Sequence, residues 1–353
     1  MQMKSRGSNR SIVGLEVDPG SVSAAEVEVN GSITVRRAAV AQLQPGVVRD
    51  GEVADAESLT AVLRDLWKTH KGLGKHVRVG VANQRIVMRW VELPPIEDVK
   101  QLDAAVRFAA QDAVPMPLDT AVIDWQSAGI VERPDGPKLR VMIVAARRDM
   151  VERVLDAVRA AGLKVDGIDL SAFGMMRAIP TDNVAPTLYL SVGGMTNLAV
   201  AENGTCLFTR VSGSGMQGIA VELAERRGLT LEHARAWLTH VGMTLPVEEI
   251  EGDPEIIADT RIALESGVQR IAGEVRTSLD FHQAQSEQAM TAPVEHVILT
   301  GPATSVGGFA DAISDALGMP VDARAVSAAR DDLDVPGGSV TVAAGLAVQE
   351  FPV

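Results

Sequence analysis

One local pattern occurs twice in this chain of 353 residues, and it constrains the fold more than any other feature. In the first copy an apolar stretch leads into Asp-Pro-Gly-Ser at 18–21, an alternating stretch and an Asn-Gly turn at 30–31. In the second, an apolar stretch leads into Gly-Gly-Met-Thr at 193–196 and an Asn-Gly turn at 203–204. Asn-Gly between alternating apolar runs is a strong hairpin signal, because a type I′ turn needs positive φ at both central residues. The repeat therefore predicts two similar lobes.

Each copy also carries a glycine-bearing turn directly after a strand. Such turns expose backbone N–H groups, and two of them facing one cleft offer a way to hold the phosphates of a nucleotide. The sequence therefore raises the question of whether this chain still binds one.

Composition narrows the classes of function. The formal net charge of −13 argues against nucleic acid as a partner, since binding to a phosphate backbone depends on clustered Lys and Arg. Cys206 is the sole cysteine, so no internal disulfide can form, and a small core residue in a reducing compartment is expected. No stretch approaches the roughly 18 consecutive apolar residues of a membrane span, which predicts a cytoplasmic protein. Residues 1–10 are interpreted as a disordered tail.

Strand and helix patterns alternate along the chain, which indicates an α/β architecture. Residues 84–166 have the pattern strand, helix, strand, strand, helix, strand, and we interpret them as a subdomain inserted into the first lobe. Residues 216–290 have an almost entirely helical pattern.

Several short segments carry a family resemblance. They include Val-Glu-Leu-Pro at 91–94, Val-Pro-Met-Pro at 114–117, Ile-Asp-Trp-Gln at 123–126, Ser-Leu-Asp-Phe at 278–281 and Leu-Gly-Met-Pro-Val at 317–321. In these segments the chain resembles the PilM family of type IV pilus assembly proteins, cytoplasmic relatives of the cell-division protein FtsA. The resemblance spans residues 12–350.

The resemblance implies an actin-like (ribonuclease H-like) α/β fold, with two lobes around a nucleotide cleft and an FtsA-type inserted subdomain. On this basis the chain divides into a first lobe (11–83 and 167–186), the insertion (84–166), a second lobe (187–215 and 291–350) and a helical subdomain (216–290).

The resemblance also implies a role and a set of partners. Proteins of this family are peripheral to the cytoplasmic face of the inner membrane, capture the cytoplasmic tail of a PilN-like membrane protein and connect it to other pilus platform or motor proteins. The membrane is contacted only indirectly. The implied tail groove lies between the core of the first lobe and the insertion, which makes Arg89, Leu93 and Val106 candidates, although core packing or a solvated face is the ordinary interpretation of each.

If a nucleotide site is retained, the resemblance places it at the glycine loops and their neighbours. The candidate nucleotide-binding residues are Glu16, Gly20, Ser21, Ser23, Gly193, Gly194, Thr196, Gly213, Gly215 and Gly301.

The loops nevertheless depart from the family pattern. Asp18 stands in place of a glycine and puts a negative charge where a polyphosphate would bind, while Ser23 replaces a lysine. Ser191 stands where the wider fold has an aspartate, and it can neither hold a metal nor act as a base. Leu238 stands where an adenosine-side lysine is expected, and Pro302 removes a backbone donor from the loop near adenine.

These changes predict a degenerate cleft without catalytic residues, without metal ligands and without hydrolysis. ATP and Mg²⁺ are candidate ligands, and the prediction is that their binding is weak, altered or absent. The alternative is that the backbone N–H groups of the glycine loops still bind a nucleotide.

Three classes of function follow. The first is an adaptor of the pilus platform that captures a peptide, and the pattern favours it. The second is an enzyme of the same fold, such as a sugar kinase or an ATPase, or an active ATP-binding, nucleotide-gated adaptor. A kinase needs a catalytic aspartate in the cleft, and Ser191 argues against that enzyme. The third is a filament former anchored by an amphipathic helix, for which the end of the sequence at 350–353 shows no pattern.

Overall fold

The computed structural model describes residues 11–181, 185–286, 292–329 and 335–348. The predicted tail at 1–10 and the chain end at 350–353 lie outside these ranges. The strands are β1 Val13–Asp18, β2 Ser21–Val29, β3 Ile33–Gln42, β4 Val48–Arg49, β5 Glu52–Val53, β6 His76–Val81, β7 Val87–Leu93, β8 Ala121–Val131, β9 Lys138–Arg147, β10 Lys164–Leu170, β11 Thr187–Val192, β12 Thr196–Glu202, β13 Thr205–Ser212, β14 His296–Thr300, β15 Val321–Ala323 and β16 Ser327–Ala328. The helices are α1 Ala56–Thr69, α2 Val99–Ala113, α3 Arg148–Ala160, α4 Ser171–Ala178, α5 Met216–Arg227, α6 Leu231–Val241, α7 Pro254–Ser286, α8 Phe309–Leu317 and α9 Thr341–Leu346.

Two sheets repeat one topology, as the duplicated pattern predicts. The first has the order β10-β6-β1-β2-β3-β16 and the second the order β13-β12-β11-β14-β15. In each, three consecutive strands form an antiparallel meander, and its first strand pairs in parallel with a later strand of the chain. The glycine loops occupy the same corner of both meanders, between the first and second strands.

The two Asn-Gly turns differ in geometry. Asn203 and Gly204 both have positive φ, 50° and 74°, as a two-residue type I′ turn requires. The first connection has three residues, 30–32, and of these only Gly31 has positive φ, at 75°. The prediction of a type I′ turn is therefore wrong for the first hairpin. A type I′ turn has two central residues, both with positive φ, whereas this connection has three residues and only one positive φ.

Two short helices pack against each other between the sheets. Helix α9 lies against β1 and helix α4 against β12, and the two helices meet at glycines. A Cβ built on Gly345 would lie 1.7 Å from the carbonyl oxygen of Gly174, so only a glycine permits this approach.

Residues 83–156 form a separate compact unit. Its three-stranded antiparallel sheet has the order β7-β9-β8, and α2 packs on one face of it. Asp98 caps this helix, since its Oδ1 accepts a hydrogen bond from the Gln101 N–H over 2.9 Å. The buried stripe of α2, with Leu102 and Val106, completes the apolar core of the unit.

The last predicted strand of the insertion belongs elsewhere. β10 pairs in parallel with β6 in the first sheet, so the compact unit ends at residue 156 and not at 166. The described residues of the rest of the chain, within 1–82 and 157–353, form one compact unit, and the division of this unit into lobes and a helical subdomain stays a prediction. Helices α5, α6 and α7 fall within the segment predicted to be helical. Cys206 is buried, and burial raises the pKa of its thiol to about 12, in keeping with a core residue.

Candidate functional site

The two glycine loops meet across a narrow cleft. One is the turn between β1 and β2, where Asp18 pairs with Ser21, and the other is the turn between β11 and β12. The two backbones touch, since a Cβ built on Gly194 would lie 2.7 Å from the nitrogen of Gly20. The sequence therefore folds into the facing loops that the repeat predicts, and they are in contact.

The carboxylate of Asp18 bridges the two loops. Its Oδ2 accepts a hydrogen bond from the Gly194 N–H, and its Oδ1 accepts one from the Met195 N–H with a nitrogen–oxygen distance of 3.3 Å. A third backbone donor is the N–H of Gly20. Desolvation raises the pKa of this carboxyl to about 6, although the three N–H donors and the charge of Arg235 act to lower it. Asp18 is therefore mostly ionised at neutral pH.

Glu16 is a second carboxyl group in the cleft. Its Oε2 accepts a hydrogen bond from the Ser23 hydroxyl over 3.3 Å. Desolvation, followed by the negative charge of Asp18, raises the pKa of Glu16 to about 8 against the opposing effect of Ser23. Near neutral pH the two carboxyl groups therefore share about one negative charge, carried by Asp18.

Helix α6 brings a positive charge to the cleft. The Nη2 atom of Arg235 donates to the carbonyl oxygen of Gly20 over 3.2 Å and to Gln217 Oε1 over 2.6 Å. Desolvation lowers the pKa of Arg235, and Asp18 raises it. Arg235 was not among the predicted site residues. Leu238, which stands where a lysine was expected, is 2% exposed and belongs to an apolar core cluster. Leu238 lies on the buried side of α6, so the cation that this helix brings to the cleft is Arg235.

A small cavity lies beside the loops. Its polar lining comes from Glu16, Asp18, Ser21, Ser171, Ser191, Asn197 and Ser339. The cavity has a volume of about 20 Å³, which is enough for one or two water molecules, since each needs roughly 10–15 Å³. The Asn197 side chain is 8% exposed, and neither of its amide atoms has a hydrogen-bond partner within the described ranges. Buried side-chain amides in native proteins are nearly always hydrogen-bonded to protein or to water, so a water molecule in this cavity is the expected partner of Asn197.

Most of the predicted nucleotide-binding residues come together at this site. Those that line the cavity are Glu16, Ser21, Gly193 and Gly301. Those that contact the same loops are Gly20, Ser23, Gly194 and Gly215. Thr196 is buried and its hydroxyl has no partner in the described part of the chain, whereas Gly213 is exposed and does not line the cavity. Their role in binding a nucleotide stays a prediction.

The three candidate residues of the peptide groove differ in solvent exposure. Leu93 is 8% exposed and Val106 is fully buried, and both belong to the apolar core of the compact unit 83–156. Neither side chain is accessible to a peptide in this structure, which corrects their assignment as groove residues: their apolar side chains complete the core between sheet and helix. Arg89 is exposed, and its Nη1 donates to the Met88 carbonyl over 2.9 Å.

Within the described ranges, no three His, Cys, Asp or Glu side chains form a cluster that would hold a metal ion. No described helix has both the length and the apolar character needed to span a membrane.

The sequence profile of the family "Type IV pilus assembly protein PilM" matches residues 14–351. The chain belongs to the PilM family. This confirms the resemblance inferred from the short segments, and the match covers both glycine loops, the compact unit 83–156 and helices α5 to α9.

Solved structures share the fold of this PilM family member. The "PilM-PilN type IV pilus biogenesis complex" superposes with a TM-score of 0.76 at 22% identity, covering 96% of this chain and 98% of that one. The ethanolamine utilization protein EutJ from Carboxydothermus hydrogenoformans gives 0.55 at 16% identity, covering 97% and 90%. MreB5 of Spiroplasma citri bound to ADP gives 0.53 at 11% identity, covering 96% and 95%. The predicted actin-like α/β fold is thereby confirmed.

Two N–H groups of the second glycine loop already have an acceptor in this structure. Phosphates would need the N–H groups of the second loop, and the carboxylate of Asp18 already accepts from two of them. Ser191 contributes a hydroxyl to the cavity lining, and the carboxyl groups there, the ligand type that Mg²⁺ prefers, are those of Glu16 and Asp18.

Proposed function

We propose that this protein is an adaptor of the type IV pilus inner-membrane platform, located on the cytoplasmic face of the membrane, and that it binds the cytoplasmic tail of a PilN-like membrane protein. The family match over residues 14–351 carries the proposal. Support comes from the similarity to a PilM whose structure was solved in a complex with PilN.

An exposed aromatic side chain supports a protein contact on the compact unit 83–156. Phe108 is 71% exposed and lies on the side of α2 opposite the buried stripe that contains Val106. Polar residues normally cover that side of a helix, and exposed large apolar side chains mark interaction surfaces. Helix-borne aromatic anchors are also typical of peptide recognition.

The proposal predicts a measurable loss of binding on removal of Phe108. The ligand is a synthetic peptide that carries the cytoplasmic tail of a PilN-like membrane protein, the partner that the proposal requires, and binding is measured by fluorescence anisotropy. Phe108→Ser is expected to weaken binding about tenfold or more, because an aromatic anchor is lost.

The matched control is Ile262→Ser, which removes an apolar side chain of 51% exposure on helix α7. It is expected to bind as the wild type does. Failure of the wild-type protein to bind the peptide would contradict the adaptor proposal, whereas equal binding by the Phe108→Ser variant would contradict only the place of the contact.

The second part of the proposal is that the cleft is degenerate, with neither hydrolysis nor appreciable nucleotide affinity. The carboxylate of Asp18 places a negative charge where phosphate charge would accumulate, and like charges repel strongly in a partly dry cleft. The alternative, a nucleotide-gated adaptor or filament former, draws support from Arg235, a cation at the cleft. A sugar kinase of this fold would need a carboxylate where Ser191 stands.

Calorimetric titration with ATP, with and without Mg²⁺, decides between these alternatives. The degenerate cleft predicts no heat and no thermal stabilisation at millimolar ATP, since a ligand that binds the folded state must stabilise it. Micromolar, metal-dependent binding would overturn the degenerate cleft and favour the nucleotide-gated adaptor.

A further inference from the structure

We propose that Asp18 is a built-in anion: its carboxylate occupies the phosphate position of the second glycine loop and holds the two lobes closed without any nucleotide. This inference rests on the degenerate-cleft part of the proposed function and extends it. A cleft of this kind usually closes on a ligand, whereas here a side chain of one loop takes the place of the ligand on the other.

The hydrogen bonds define an anion site. Three backbone N–H groups converge on the Asp18 carboxylate, from Gly20 in its own loop and from Gly194 and Met195 in the facing loop. Successive backbone N–H groups form the concave sites that bind phosphates in proteins, and hydrogen bonds to a charged acceptor are stronger than neutral ones. The donors of a phosphate site are therefore present and already paired.

The carboxylate of Asp18 packs tightly against the second glycine loop. A Cβ built on Gly194 would lie 2.5 Å from Asp18 Oδ2, and one built on Gly193 would lie 3.1 Å from the same atom. Gly215 packs directly against the second loop, since a Cβ built on it would lie 2.7 Å from the carbonyl oxygen of Gly193 and 2.5 Å from that of Gly194. Phosphate can bind the second loop only if Asp18 leaves it.

The charges around the contact favour its closed form. Arg235 donates from α6 to the carbonyl oxygen of Gly20, next to Asp18, and holds this loop from the other side together with Gln217. The contact thus joins β1–β2, β11–β12 and the helices α5 and α6. Loss of the Asp18 charge removes the acceptor that holds the two loops together.

Hydrogen exchange of backbone amides tests the contact without any ligand. In the variant Asp18→Asn, which keeps the side-chain volume, exchange at the Gly194 and Met195 amides is expected to be about tenfold faster or more, because a charge-assisted hydrogen bond is lost. Asp315→Asn removes an exposed carboxylate of α8 and is expected to leave these rates unchanged. Unchanged exchange in folded Asp18→Asn would overturn the proposal.

Pyrophosphate titration tests whether the vacated site takes an anion. Asp18→Gly is expected to bind inorganic pyrophosphate at millimolar concentration by calorimetry and to regain protection at Gly194 and Met195, while the wild type shows no heat. A folded Asp18→Gly variant that binds no pyrophosphate would overturn the proposal, and if this variant does not fold, the exchange rates of Asp18→Asn still decide. The degenerate cleft and the Asp18 contact can fail independently of each other. ATP binding to the wild type would contradict the degenerate cleft. The exchange experiment, which contains neither ATP nor tail peptide, tests only the Asp18 contact.

Discussion

Replacement of Gly345 by alanine is expected to lower the free energy of unfolding by about 3 kcal/mol or more, because the added methyl group has no space. Its Cβ would lie 1.7 Å from the Gly174 oxygen and 3.0 Å from the Ala178 nitrogen. Both atoms are backbone atoms of α4, so no change of rotamer relieves the clash. Helix α9 would have to move off α4, and the two helices pack between the sheets that carry the glycine loops. Urea denaturation of the wild type and the variant measures the difference.

The matched control is Gly273→Ala in helix α7. A Cβ at this position has no neighbouring atom within 4 Å, and glycine inside a helix costs up to about 1 kcal/mol relative to alanine. The control is therefore expected to raise the free energy of unfolding slightly. If Gly345→Ala were as stable as the wild type, the close approach of α9 to α4 would be refuted.

The duplicated architecture was predictable from the sequence because its signals are local. Asn-Gly turns and alternating apolar residues fix the strands of each meander, and the two meanders and their parallel neighbours follow in the same order. The place of β10 was not predictable in this way. Its alternating residues predict a strand, but a parallel partner such as β6, some 90 positions earlier in the chain, leaves no signal in the strand itself.

Part of the candidate site was also predictable, because its signals are local in the sequence. Glycine loops after strands indicated facing N–H groups, and the carboxylate of Asp18 stood out as a charge in the wrong place for a phosphate. Its donors lie 176 and 177 positions further along, and Arg235 lies on a helix whose orientation the spacing alone does not give. The sequence therefore indicated a conflict between Asp18 and a nucleotide, and the structure shows which groups Asp18 contacts instead.

The second large effect concerns the pH dependence of stability through Glu16. The folded protein raises the pKa of this carboxyl from 4.5 to about 8, chiefly by desolvation and then by the charge of Asp18. Between these values the folded state binds a proton that the unfolded state has released, so the free energy of unfolding falls as pH rises. The slope from one such group is at most about 1.4 kcal/mol per pH unit. Acidification from pH 8 to pH 6 therefore stabilises the protein through Glu16.

Glu16→Gln is the variant that isolates this effect, since glutamine does not titrate. Relative to the wild type, it is expected to gain stability as pH rises from 6 to 8, by up to about 3 kcal/mol over this window. Asp18, with a pKa raised to about 6, contributes mainly below the window. Urea denaturation at several pH values measures both proteins, with the exposed Glu97→Gln as the control. Parallel stability curves for the wild type and Glu16→Gln would contradict a neutral Glu16, and with it the arrangement in which Asp18 alone carries the negative charge of the cleft.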